Sequence, residues 1–345
     1  MPIYTTVVGS FPLTNTPEHM EQAFRGEIEA GITHPCYPQL VPMTAQFLAP
    51  LAEVTGAFEL RENGYYLLQD FSLPETPIAL EYGQFVVDFL AQNPDLAQQI
   101  QGTKACLTGP FTLSGDVLLE ETDLGAGIRK QIFSEPRAIM VDWMVEKFAQ
   151  LLQSVGNAYS DMGFQIISMD EPTLNLMVGR KMYIFHSKDF ILEQLDKALA
   201  GIAQWPSVHV CGHLAPLLRD LLLESRAKIL DHEFTTEEAN WDVYTRADLE
   251  SHDKFLAVGV VSSKVVPDPA LTDPLDYVES VSDIQSRMER AIELFGPERV
   301  IFKPDCGLGG LKGTFPEDFA FAIAMGKLRN ITEALQNVKK NIGIE

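Results

Sequence analysis

Four side chains in this sequence have the types and the placement to grip one metal ion. His209 and Cys211 stand two apart in SVHVCG, so on a strand both would point to the same face. Cys306 follows the apolar run RVIFKPD and precedes Gly307, Gly309 and Gly310, which let the backbone turn sharply around a site. Glu233 closes a third run, KILDHEF. Two thiolates, one imidazole and one carboxylate match the tetrahedral preference of Zn²⁺. Their scatter over three runs, in place of closely spaced Cys and His pairs, favours a catalytic ion over a structural one. The carboxylate is the most exchangeable of the four, leaving a position for a thiol that the zinc would keep deprotonated. Each residue alone has a plainer reading: a buried Cys or His is more often packed core. The glycines after Cys306 also read as a phosphate loop, although no helix start follows at once.

Short β-branched runs must position these groups: Thr5 to Val8, Ala105 to Leu107, Gln165 to Met169, Ser207 to Val210, Lys228 to Leu230, Phe255 to Val261 and Val300 to Phe302. Between them, Glu135 to Met162, Lys188 to Ala203, Tyr277 to Phe295 and Pro316 to Leu335 carry apolar residues at helical spacing. Such alternation implies parallel βαβ units. Polar, reactive residues follow nearly every run: GSFP, TGP, MDEP, HVCGH, DHEF and PDCG. A single (β/α)8 barrel gathers all such strand ends on one face, whereas a doubly wound sheet gathers only some. Seven strands are visible, and the eighth is placed in Tyr65 to Gln69. Residues 12 to 101 hold too many prolines for one βα unit and read as an N-terminal extension or insertion packed on the barrel. No linker or repeat marks a domain boundary, so residues 1 to 345 are taken as one catalytic unit.

The 345 residues include 26 Lys and Arg against 48 Asp and Glu, a net charge of −22. That charge repels phosphate backbones and anionic lipid, which excludes nucleic acid and membrane surfaces as partners. No apolar stretch is long enough to span a bilayer, and the start MPIYTTVVGSFP lacks the basic region of a secretion signal, so a cytoplasmic protein is expected. Four cysteines are too few for a disulfide scaffold at this length.

The combined motifs resemble the C-terminal catalytic barrel of the cobalamin-independent methionine synthases. GSFP at Gly9, GP at Gly109, MDEP at Met169, HVC at His209, Glu233 and PDCGL at Pro304 occur in the family's order over nearly the whole chain. The resemblance implies zinc held at His209, Cys211, Glu233 and Cys306, and methyl transfer to the thiol of L-homocysteine. It also implies recognition of the amino acid by Asp170 and by the Gly9–Ser10 turn. An anionic Asp170 suits an ammonium, and the hydroxyl and N–H groups at Ser10 suit a carboxylate. The plainer role for Asp170 is a helix N-cap before Pro172.

Three departures bear on the transfer. The family's second amine-binding glutamate has no secure counterpart; Glu59 and Glu62 are candidates, of which Glu62 is taken. Where the family reads GVYDIH this chain reads GVVSSK, so Lys264 stands in place of a proton-relaying histidine. The N-terminal half of the long enzymes, which helps hold polyglutamylated folate, has no equivalent here. A corrinoid protein or methylcobalamin is therefore the expected methyl donor. The alternatives are methyl-tetrahydrofolate as donor, another thiol such as coenzyme M as acceptor, and a zinc-binding protein without turnover.

Overall fold

Five parallel strands whose polar ends run into loops, and the edges that flank them, build the scaffold of the site. The computed structural model describes residues 3–120 and 135–343. Its strands are β1 (Tyr4–Thr5), β2 (Phe58–Arg61), β3 (Gly64–Leu67), β4 (Lys104–Thr108), β5 (Val117–Leu119), β6 (Ile166–Asp170), β7 (Trp205–Val210), β8 (Ile229–His232), β9 (Phe255–Val261) and β10 (Val300–Pro304). Seven of them form one curled, all-parallel sheet in the order β1-β10-β9-β8-β7-β6-β4, at the seven places the sequence marks. Helices cross between them, notably Asp142–Asp161, Lys188–Leu199, Val281–Phe295 and Glu317–Ile342. Several start on a hydroxyl cap: Ser187 accepts from the Phe190 N–H, and Ser280 from that of Asp283.

The expected eighth strand is not where the sequence put it. Tyr65 to Leu67 belong to β3, which pairs with β2 and β5 in a separate three-stranded sheet. The tight turn at Glu62 and Asn63 makes β2–β3 an antiparallel hairpin, and that pairing takes Tyr65 away from the main sheet. The free edges of β1 and β4 are bridged instead by residues 33–39. His34 N–H donates to the Thr5 carbonyl and Gln39 N–H to that of Gly9, while on the other side Tyr37 N–H donates to the Lys104 carbonyl. Pro35 and Pro38 interrupt this stretch and hold it to isolated bridges, because proline has no N–H to give a ladder. Part of the region 12–101 is thereby stitched into the main sheet.

Inside the curl, alternation along each strand sorts the side chains into layers. Near the strand starts Ile166, Ile229, Ala257 and Ile301 form a buried apolar plug, capped by Tyr4, Trp205 and Phe255. Two and four residues further along the same strands come Ser168 and Asp170, Asp231 and Glu233, Lys303 and Asp305. The outer face packs on the helices in one large apolar cluster. Among the described residues no helix is long and apolar enough to cross a membrane.

Candidate metal centre

Strand β7 ends in His209 and Val210, and Gly212 at φ +81° turns the chain away just past Cys211. Strand β10 ends at Pro304 with a bulge between Lys303 and Pro304, which re-aims the residues that follow. The outcome is that His209, Cys211 and Cys306 converge, their ligand atoms all within 4.8 Å of one another. His209 Nε2 lies 3.0 Å from Cys211 Sγ, and the two sulfurs are 3.4 Å apart. One thiol donates to the other. The bond from Cys211, and the nearby His209, hold Cys306 well below the ordinary thiol range, while the same bond and burial push Cys211 up. A thiol–thiolate pair beside an imidazole is a donor set that could hold a soft or borderline divalent ion.

Glu233 is buried in the wall of the cavity that also exposes Cys306. Its carboxylate stays outside the His–Cys–Cys group: Oε2 accepts from Thr236 Oγ1 at 2.9 Å and meets Lys264 Nζ at 3.5 Å. Lys264 itself sits at the rim, its side chain 66% exposed. The cavity holds about 490 Å³ and reaches Ser10, Ser263 and Gly310.

Ser10 gets there because two distant turns interlock. Gly9 has φ +130°, and a Cβ on it would fall 2.9 Å from Cys36 Sγ, so only glycine fits. The Ser10 carbonyl then accepts from Leu308 N–H, and its hydroxyl lies 3.3 Å from Gly309 N. Gly307 must lack a side chain, since a Cβ there would overlap Ser10 Oγ at 2.0 Å.

Asp170 ends β6 directly across from His209 in the ladder. It does not cap a helix; the next short helix, Leu174–Met177, begins after Thr173. Its buried Oδ1 has no hydrogen-bond partner, and burial pushes the carboxyl up to about 7 against the pull of His209 and Lys104. An orphaned carboxylate of this kind fits a cationic group brought in from outside. The neighbouring Glu171, not Asp170, accepts from Phe111 and Thr112 N–H at the start of the helix Pro110–Asp116. Gly109 makes room for that carboxylate: a Cβ would sit 2.1 Å from Glu171 Oε1. Glu62 lies apart, exposed in the β2–β3 turn, and Glu59 pairs with Arg61 on the same hairpin.

No protein-family model matches the chain. A methionine synthase of Methanothermobacter marburgensis is 25% identical over 349 aligned positions, covering 96% of this chain and 98% of its own. The methionine synthase of Methanothermobacter thermautotrophicus is 24% identical, covering 96% and 99%. A solved B12-independent methionine synthase from Shewanella sp. W3-18-1, in complex with selenomethionine, superposes with a TM-score of 0.66 at 14% identity, over 99% of this chain and 98% of that one. Over nearly its whole length the chain is similar to these methionine synthases, which supports a methyltransferase, and it shares a mixed α/β fold with its structural neighbour.

Sequence reasoning misses the groups beneath the candidate metal centre. Asp231 Oδ1 lies 2.6 Å from His209 Nδ1 and 2.6 Å from Lys303 Nζ, with Lys104 Nζ 3.6 Å from Oδ2. Burial pushes the Asp231 carboxyl up, but Lys303, His209 and Lys104 outweigh it and hold Asp231 well below the usual carboxylate range. Asp305, also buried, accepts from the N–H groups of Phe234, Thr235 and Thr236 and so fixes the loop after Glu233. Gly259 lacks a side chain because a Cβ would lie 2.1 Å from Asp305 Oδ1. The available signal was alternation, since Asp231 is two residues before Glu233 and Lys303 two before Asp305.

Proposed function

We propose that this protein moves a methyl group onto the thiol of L-homocysteine to form L-methionine, at a zinc site built from His209, Cys211, Glu233 and Cys306. The observation that carries the proposal is the convergence of one imidazole and two sulfurs within 4.8 Å at the C-terminal end of a curled parallel sheet. The reading treats residues 33–39 as the eighth stave of a (β/α)8 barrel, and the whole chain as one catalytic unit. Zinc bound there would keep the acceptor's sulfur deprotonated near neutral pH. Glu233, whose carboxylate meets Thr236 and Lys264 and not the other three, would be the ligand that yields its position to that sulfur.

The chain's own groups then select and orient the acceptor. Asp170 offers its unpaired buried oxygen to the α-ammonium, which distinguishes an amino acid from a sulfonated thiol. Ser10, fixed by the 307–310 turn, faces the α-carboxylate from the cavity wall. The acceptor sulfur attacks the donor's methyl carbon in line, and the donor keeps the electron pair of the broken bond. A methyl-corrinoid donor fits this site: reduced cobalamin leaves without a proton, and Lys264 is a rim lysine turned to Glu233, not an acid fixed inside the cavity.

Two measurements test the reading. Homocysteine added to the zinc-loaded protein is expected to add a sulfur to the zinc shell in X-ray absorption and to release a proton; an unchanged shell would leave only a metal-binding protein. Assays at equal concentrations of methylcobalamin, a methylated corrinoid protein and methyl-tetrahydrofolate are expected to favour the corrinoids, and folate turnover at or above theirs would reverse the donor assignment.

A further inference from the structure

Beneath the three convergent ligands lies a buried ion network that the transfer chemistry does not itself require. We propose that Asp231 is a positioning residue for the metal centre: braced by Lys303, it holds His209 through Nδ1–H and so aims Nε2 at an ion shared with Cys211 and Cys306. The proposal rests on the reading of that cluster as a metal site.

Asp231 and Lys303 are each 1% exposed or less, so their contact is shielded from water. Asp231 Oδ1 takes both the His209 ring at 2.6 Å and the Lys303 ammonium at 2.6 Å. A carboxylate can only accept, so a His209 ring that gives Nε2 to an ion carries its proton on Nδ1. With the proton on the other nitrogen, Nε2–H would point at Cys211 Sγ, 3.0 Å away, and could not bind an ion. Lys303 also donates to the Asp305 carbonyl at 2.7 Å, the residue before Cys306. One chain of contacts therefore links the His209 strand, the Asp231 strand and the backbone that carries Cys306.

A role in stability alone does not account for this network. Two residues back on the same strands, the equivalent interior positions are Ile229 and Ile301. A buried ion pair is often no more stabilising than apolar residues of the same volume, so isoleucine-like side chains would serve the fold as well. A carboxylate behind a metal-binding histidine instead sets its tautomer and ring angle, and losing it typically weakens metal affinity about 10- to 100-fold.

The test compares wild type with Asp231→Asn, and with Asp231→Leu/Lys303→Met, which removes both members of the 2.6 Å pair. Circular dichroism checks that each variant is folded, because Lys104 loses its Asp231 partner in both. Zinc affinity is measured by chelator competition, and the His209 Nδ1–H hydrogen bond by ¹H and ¹⁵N NMR of the zinc-loaded protein. Both variants are expected to bind zinc about 10- to 100-fold more weakly than wild type. The zinc-loaded wild-type ring is expected to show a hydrogen-bonded proton on Nδ1, and the double variant to lose that hydrogen bond. Zinc affinity and the Nδ1–H signal unchanged in the folded variants would overturn the role of Asp231. Wild-type protein that binds no zinc would overturn the metal reading instead.

Discussion

The two ends of the sheet's interior are built on the same strands and obey opposite rules. At the strand starts, Ile166, Ile229, Ala257 and Ile301 fill the space with hydrocarbon, and Tyr4, Trp205 and Phe255 close it with rings 5.5 to 5.9 Å apart. A step of two to four residues brings Asp170, Asp231, Lys303 and Asp305 into the same interior, all buried and all ionisable. The lower layer gains free energy from removing apolar surface from water; the upper one spends stability to hold charges where chemistry needs them. Strand direction decides which is which, because loops that supply reactive groups leave from the C-terminal ends.

The sharpest break in this contrast is at the top. Cys306→Ser is expected to lose the metal and with it methyl transfer, because a hydroxyl is a far poorer zinc ligand than a thiolate, while the far-ultraviolet spectrum stays native. Metal analysis of the purified variant checks it, and full zinc occupancy would show the ligand set to be wrong. At the bottom, Ile301→Ala should cost about 2–5 kcal/mol of unfolding free energy in urea and leave zinc affinity untouched. A change in zinc affinity there would mean that the two layers are not independent.

Much of this division was legible in the sequence. The seven main strands announce themselves as β-branched runs, most of them followed closely by Gly, Pro or Asp, and His209, Cys211 and Cys306 stand at two of those ends. The bridge between β1 and β4 was not legible, because the prolines of THPCYPQ deny it a free run of N–H donors, whereas the Tyr65 stretch has such a run and went to a hairpin of its own. Nor was the ion network: Lys303 inside VIFKP and Lys104 inside KACLT read as ordinary strand ends until the structure shows both side chains fully buried. Residue type alone cannot reveal a charge whose partner lies on another strand.

Asp170 sits between the two regimes. Asp170→Asn should raise the homocysteine KM about ten- to a hundredfold with zinc content unchanged, by removing the charged partner of the ammonium. It should also change how stability follows pH. Burial raises the folded carboxyl from 3.8 to about 7, so between pH 4 and 7 the unfolded chain has lost a proton that the folded one keeps. Folding is then progressively disfavoured as pH rises through that window. The metal-free Asn variant is expected to gain on wild type from pH 4 to 7 and to hold a constant lead above it; parallel melting curves across that range would contradict the assignment.

The smallest effect belongs to the one lysine of the site that water reaches. Lys264→Ala is expected to change unfolding free energy by less than about 1 kcal/mol, since its side chain is 66% exposed and 3.5 Å from Glu233. A loss comparable to that of Ile301→Ala would place Lys264 with the buried charges.

The pairing of β1 with β10 also sets a timetable. Tyr4 lies opposite Ile301, so the first of these strands to be made waits for the last of them. At roughly 5–20 residues per second a ribosome takes about 15 to 60 s to cover that interval. Throughout it, one rim of the growing sheet offers unpaired N–H and C=O groups to any nascent strand nearby. The link that closes first, between residues 33–39 and β4, needs no residue beyond Thr108, which makes the earlier segment a shield for β4 long before Cys211 and Cys306 have been translated.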